Sequence, residues 1–219
     1  MDLNLAEVKS WLAIVLSAAN VVRIGKDFFN KPRLSIKQDE KKYPSIYAPA
    51  RTYTSVGISR KYLRIHVENR GNVAAYKCKA RLRVIRTVDQ QYPAIEDVVL
   101  VWEGSKGDVN MNTTIEKDVH PNAPELLHVI FSDSSFPNIP VEPSNPIHAV
   151  ISSKNMLDTF NPRIIEHGFV VGDFVFGIIV NTERAKCISY FKVHIDSEWD
   201  KLSMRKLSVF ETLRIKSPS

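Results

Sequence analysis

Residues 63–85 read LRIHVENRGNVAAYKCKARLRVI. In the first part, Leu63, Ile65 and Val67 alternate with Arg64, His66 and Glu68. In the second, Tyr76, Cys78, Ala80, Leu82 and Val84 alternate with Lys77, Lys79, Arg81 and Arg83. Alternation with period two places apolar side chains on one face of a strand and polar ones on the other. Asn69-Arg70-Gly71-Asn72 separates the two runs as a turn, with Gly71 suited to positive φ. The stretch therefore predicts strand, turn, strand, each strand half-buried.

The same period recurs outward from it. Leu34 and Ile36 alternate with Arg33, Ser35 and Lys37. Further strand candidates are residues 98–102, 112–119, 126–131 and 147–152. The clearest hairpin runs from Phe174, Phe176, Ile178 and Val180, through a turn at 181–186, to Cys187, Ser189, Phe191, Val193 and Ile195. Many short strands punctuated by turns predict a mainly β fold, an antiparallel β-sandwich. The 219 residues suffice for one such core, and 44% apolar and 25% charged residues are ordinary for a globular chain. The predicted core comprises Leu63, Ile65, Val67, Leu82, Val84, Phe176, Ile178, Phe191 and Val193.

LRIHVENRGNVAAYKCKARLRVI resembles the V-x-N-x-G … A strand-turn-strand of the adhesion-related CARDB and other immunoglobulin-like modules. VVGDFVFGIIV, followed by CISYFKVHI, is similar to their closing hairpin. The resemblance covers under a third of the chain. It implies an immunoglobulin-like sandwich with a binding role rather than a chemical one.

Two ends flank this body. Residues 10–22, SWLAIVLSAANVV, carry no charge, and Leu5, Val8, Leu12, Val15, Ala19 and Val22 recur at helical spacing. Other apolar residues widen the stripe nearly all the way round, as in a helix buried in protein or lipid. The run is shorter than the roughly 20 residues of a spanning helix. Membrane anchoring, packing on the domain or in a homo-oligomer, and a cleaved signal stay open. Arg23, Lys26, Lys31, Arg33 and Lys37 follow the run, which would place the main domain on the cytoplasmic side if the helix spans. In 198–215, Trp199, Leu202, Val209, Phe210 and Leu213 fit one side of a short C-terminal helix. The expected division is a helix at 1–30, a sandwich at 31–197 and a helical tail at 198–219. Two long loops, 41–57 and 132–146, are rich in Pro and would cover sheet edges or bind ligands.

Charge is segregated along the chain. Residues 1–86 hold 18 Lys/Arg against 6 Asp/Glu; residues 87–200 hold 7 against 17; residues 201–219 hold 5 against 1. Such asymmetry points to a partner surface. The candidate surface is Arg60, Tyr62 and Arg64 together with Lys77, Lys79, Arg81 and Arg83. If the two strands pair directly, like charges oppose one another and an anion would relieve them. If the chain crosses between sheets, the cluster divides. A protein partner or an anionic membrane is expected, with nucleic acid as the alternative, since the pI is near 9.3.

No catalytic role, cofactor or metal is expected. The histidines, His66, His120, His128, His148, His167 and His194, show no metal-ligand spacing, and His66 and His194 fall on faces expected to meet solvent. No phosphate-binding glycine loop or nucleophile elbow occurs. Cys78 and Cys187 are too few for a disulfide scaffold and are expected inward and reduced, or bridging the sheets. The sequon at Asn112 is no more than chance supplies.

Overall fold

The computed structural model describes residues 13–22, 30–39, 46–49, 59–87, 98–103, 115–134, 140–142, 145–151 and 168–216. In chain order, helix α1 (13–22) precedes β1 (Leu34–Lys37), β2 (Ile46–Pro49), β3 (Ser59–Asn69) and β4 (Ala75–Thr87). Next come β5 (Val98–Val99), β6 (Val101–Trp102), β7 (Glu116–Val119), β8 (Glu125–Asp133), β9 (Pro140–Glu142) and β10 (Asn145–Pro146). The chain continues through β11 (Ala149–Ile151), β12 (Gly168–Phe169), β13 (Gly172–Asn181), β14 (Lys186–Ile195), a 3₁₀ turn (Trp199–Lys201), β15 (Ser203–Lys206) and helix α2 (Val209–Lys216).

The strands form two antiparallel sheets. The first runs β1-β3-β8-β11-β12, with β2 on β3 and β6 on β8. The second runs β15-β14-β13-β4-β5, with β7 on β4. The β9–β10 ladder stands apart. The predicted mainly β sandwich is what forms. Its core contains Leu63, Ile65 and Val67 from one sheet, and Leu82, Phe176, Ile178, Phe191 and Val193 from the other. The side chain of Val84 lies outside the described residues. Each fully buried aliphatic or aromatic side chain contributes roughly 1.5–3 kcal/mol.

β3 and β4 lie in different sheets, so the turn between them is a crossover rather than a hairpin. Asn69 builds that turn. Its Oδ1 accepts from the N–H groups of Arg33 (3.0 Å) and Gly71 (2.9 Å), while its Nδ2 donates to the carbonyls of Val73 (2.7 Å) and Val119 (3.0 Å). Gly71 is needed here for close approach, not for positive φ. A Cβ at this position would stand 2.2 Å from the Lys31 carbonyl oxygen and 2.9 Å from the Arg33 nitrogen.

Several expectations need correction. Tyr76 is 64% exposed rather than inward. A register shift between Ala75 and Cys78 buries both of those residues and pushes Tyr76 and Lys77 out. Such a bulge resets the alternation. The single strand expected at 98–102 is split: β5 pairs with β4, Leu100 donates to the Ala80 carbonyl (2.9 Å), and β6 pairs with β8 in the other sheet. Within the 41–57 loop, β2 adds to β3, and β8 extends into the 132–146 loop. Residues 203–206 are an edge strand, not helix, so the sandwich continues past 197. α2 is the short C-terminal helix expected, beginning only at Val209. Residues 10–12, the sequon and His167 lie outside the described residues.

Candidate functional site

The seven residues of the predicted cationic surface divide between the two sheets. Arg60, Tyr62 and Arg64 project from the outer face of β3, and they are not an exposed anion site. Tyr62 is buried and Arg60 nearly so. Arg60 Nε lies 2.6 Å from Asp133 Oδ2, directly opposite on β8, and its guanidinium sits 5.1 Å over the Phe131 ring. Arg64 pairs with Glu103 at 3.1 Å. Tyr62 packs against Phe131 (5.2 Å between centroids) and edge-on against His128 (5.5 Å). The partners of these cations are therefore internal carboxylates, which a sequence reading could not have placed opposite them.

This outer face is a second buried layer. β8 is buried continuously from Leu127 to Asp133, which explains why its sequence does not alternate. His66, expected to meet solvent, is 2% exposed and 3.3 Å from Glu68. His128 is 1% exposed, and neither ring nitrogen has a hydrogen-bond partner among the described residues. Burial, reinforced by the charge of Arg64, pushes its pKa down to about 4. His194 is exposed as expected, bonding Asp173 at 2.9 Å.

The other four predicted residues lie on the second sheet. Lys79 and Arg81 are exposed and Arg83 half-buried on the outer face of β4. Lys79 pairs with Glu116 at 2.9 Å. In register, Arg81 stands beside Ile179 and Ile188, and Arg83 beside Gly177 and Tyr190. Ile188 is 43% exposed, so the face mixes cations with uncovered apolar surface. Lys77 is displaced from that row by the bulge. Its φ of 50° is left-handed, and its N–H donates to Asp118 Oδ1 at 2.8 Å.

The helices hold most of the other uncovered apolar groups among the described residues. Every residue of α1 is exposed, with Ile14, Val15, Leu16, Val21 and Val22 between 57% and 69% accessible. No helix among the described residues is long and apolar enough to cross a membrane. α2 is fixed at its start by a capping box. Ser208 Oγ accepts from the Glu211 N–H at 3.3 Å, and Glu211 Oε2 accepts from the Ser208 N–H at 2.9 Å. Arg205 grips the same carboxylate through two bonds, 2.7 and 3.2 Å. With these bonds, Arg205 foremost, the Glu211 pKa is pushed down to about 2. Val209 and Phe210 stay 74% and 80% exposed.

Both cysteines are free thiols. Cys78 is buried, and desolvation pushes its pKa up to about 11; Cys187 is half-buried against the core. Among the described residues, no group of three His, Cys, Asp or Glu side chains could hold a metal ion. No family model, curated protein or solved structure matches the chain.

Proposed function

We propose that this protein is a non-enzymatic interaction module held at a membrane by α1, its sandwich presented to a protein partner or an anionic surface. One observation carries the reading: a helix with Ile14, Val15, Leu16, Val21 and Val22 all mostly uncovered, on a chain whose sandwich buries its apolar side chains well. A helix apolar on all sides belongs in lipid or against protein. The ten described residues of α1 measure about 15 Å, half of a hydrocarbon core, so they insert into one leaflet or continue as part of a longer span. The basic residues after it favour a sandwich on the cytoplasmic side. The crossover between β3 and β4 supports an immunoglobulin-like topology.

Fractionation of the full-length chain tests the reading. The parent should pellet with membranes and need detergent for release. A variant with Ile14, Leu16 and Val21 changed to Ser should move to the soluble fraction while keeping its thermal unfolding transition. A parent that is soluble and monomeric without detergent defeats the proposal. A parent that is soluble but loses self-association in the variant makes α1 an oligomerisation helix.

The exposed Lys79 and Arg81 beside Ile188 favour a second reading, a nucleic-acid accessory role. Such binding would weaken steeply with salt through counterion release. Absence of RNA and DNA binding at physiological salt removes it.

A further inference from the structure

The described chain enters the sandwich at the same end where α2 leaves it. Gln38 Nε2 donates to the Met204 carbonyl, and Lys206 Nζ donates to the Ile36 carbonyl at 2.5 Å. These two bonds tie residues 36–38 to residues 204–206 across the edges of the two sheets with the chains running oppositely, so Leu34 and Ser208 lie toward the same end. Residues 30–34 thus lie toward the end where α2 begins. The β3–β4 crossover and the β13–β14 turn lie at this end too, because Leu34 pairs with Asn69 and Lys79 with Asn181.

Charge collects here. Lys31, Arg70, Lys77, Arg184 and Lys186 are exposed at this end, Arg70 standing 3.6 Å from the half-buried Glu68, against Asp118 and Glu183 as exposed carboxylates among the described residues. The Asp118 carboxylate already accepts from the Lys77 backbone. At the opposite end, Asp173 pairs with Lys192 (2.7 Å) and Glu198 with Lys201 (2.5 Å), and Asp196 and Asp200 add two further carboxylates, so no excess of cations gathers there among the described residues. The cationic end also holds a cleft of about 810 Å³. Pro32, Tyr76, Lys77, Thr182, Glu183 and Arg184 are among the residues that line it, two cations to one carboxylate.

We propose that this end is a docking surface for an anionic phospholipid bilayer, its cations meeting headgroup phosphates while Val209 and Phe210 of α2 enter the interface. The proposal rests on the membrane reading of α1 and adds an orientation to it. Lipid is the occupant that satisfies both halves of the surface. Phosphates match the excess of cations, and acyl chains match apolar side chains that a capping box and Arg205 hold outward. An aromatic residue amid cations, as Tyr76 is here, suits the headgroup layer.

The test is partition of the full chain onto phosphatidylcholine vesicles with and without phosphatidylserine. The parent should prefer the anionic vesicles, and salt should erase the preference. Each basic side chain near such a surface is worth about 1 kcal/mol, or roughly fivefold, so K77Q/R184Q should lose about 25-fold on anionic vesicles and nothing on neutral ones. F210E should weaken partition to both, and K201Q at the far end should change neither. Circular dichroism melts confirm that each variant is folded. Equal partition of parent and K77Q/R184Q overturns the docking surface, as does a parent indifferent to lipid charge. If F210E abolishes self-association but leaves partition intact, α2 meets a second copy and the proposal is wrong. A parent that binds neither vesicle defeats the membrane reading and this one together.

Discussion

Acidification should destabilise the fold through His128. The imidazole is 1% exposed, packed edge-on to Tyr62 and paired across the strands with Arg64. Desolvation, aided by the Arg64 charge, lowers its pKa from 6.5 to about 4. The unfolded chain therefore takes up a proton near pH 6.5, while the folded chain resists until about pH 4. Stability from this residue is fully present above pH 6.5, falls as pH drops through that window, and levels off below pH 4. At about 1.36 kcal/mol per pH unit, the interval from 6.5 to 4 amounts to about 3 kcal/mol. Urea unfolding at several pH values, on the parent and on His128→Leu, isolates this contribution. Depressed carboxylates such as Asp173 and Glu68 act on both proteins alike. Relative to the variant, the parent should lose about 3 kcal/mol between neutral pH and pH 4. Parallel pH profiles would show that His128 takes up its proton in the fold as readily as in the unfolded chain, and the burial argument would fail.

Other consequences of the packing can be measured directly. Phe191→Ala removes a fully buried ring between the sheets and should cost roughly 3–5 kcal/mol in urea unfolding; a loss under about 0.5 kcal/mol would mean the wrong strand face was assigned. Gly71→Ala should cost more than about 2 kcal/mol, because the added methyl meets the backbone of Lys31 and Arg33 and neither can yield as a flexible side chain could. Unchanged stability there would disprove the close approach. Alkylation without reductant should label Cys187 well before Cys78, whose thiol is buried and reluctant to ionise. A bridged peptide in the mass spectrum, or faster labelling of Cys78, contradicts that assignment.

Much of this fold was legible because alternation survives in the sequence wherever one strand face meets the core and the other meets water. β4, β13 and β14 are of that kind, and Leu82, Ile178 and Phe191 fell where the pattern put them. It failed where another constraint intervened. The bulge at Ala75–Cys78 turned Tyr76 outward, and nothing local marks it. In β15 only Met204 is buried, too little to show a period of two, so the stretch around it passed for helix. β8 shows no alternation because its residues from Leu127 to Asp133 are buried on both faces, His128, Ser132 and Asp133 included. The candidate surface was half readable. Lys79, Arg81 and Arg83 share the expected face, but the partners of Arg60 and Arg64 are Asp133 and Glu103, 73 and 39 residues away. Pairings at such separation leave no trace in residue spacing. The cationic end was equally hidden, since it gathers cations from three stretches far apart in the chain, around residues 31, 70–77 and 184–186.

Depth measurement on α1 tests the central claim most directly. A tryptophan placed at Leu16, a position 58% exposed, would report contact with lipid. In a Trp11→Phe background, phosphatidylcholine vesicles carrying bromine on the acyl chains should quench the added emission of the Leu16→Trp protein, measured against the same background without that substitution, while the buried Trp102 keeps its own. If the emission from position 16 is the same with and without bromine, α1 does not enter lipid, and the membrane account is wrong.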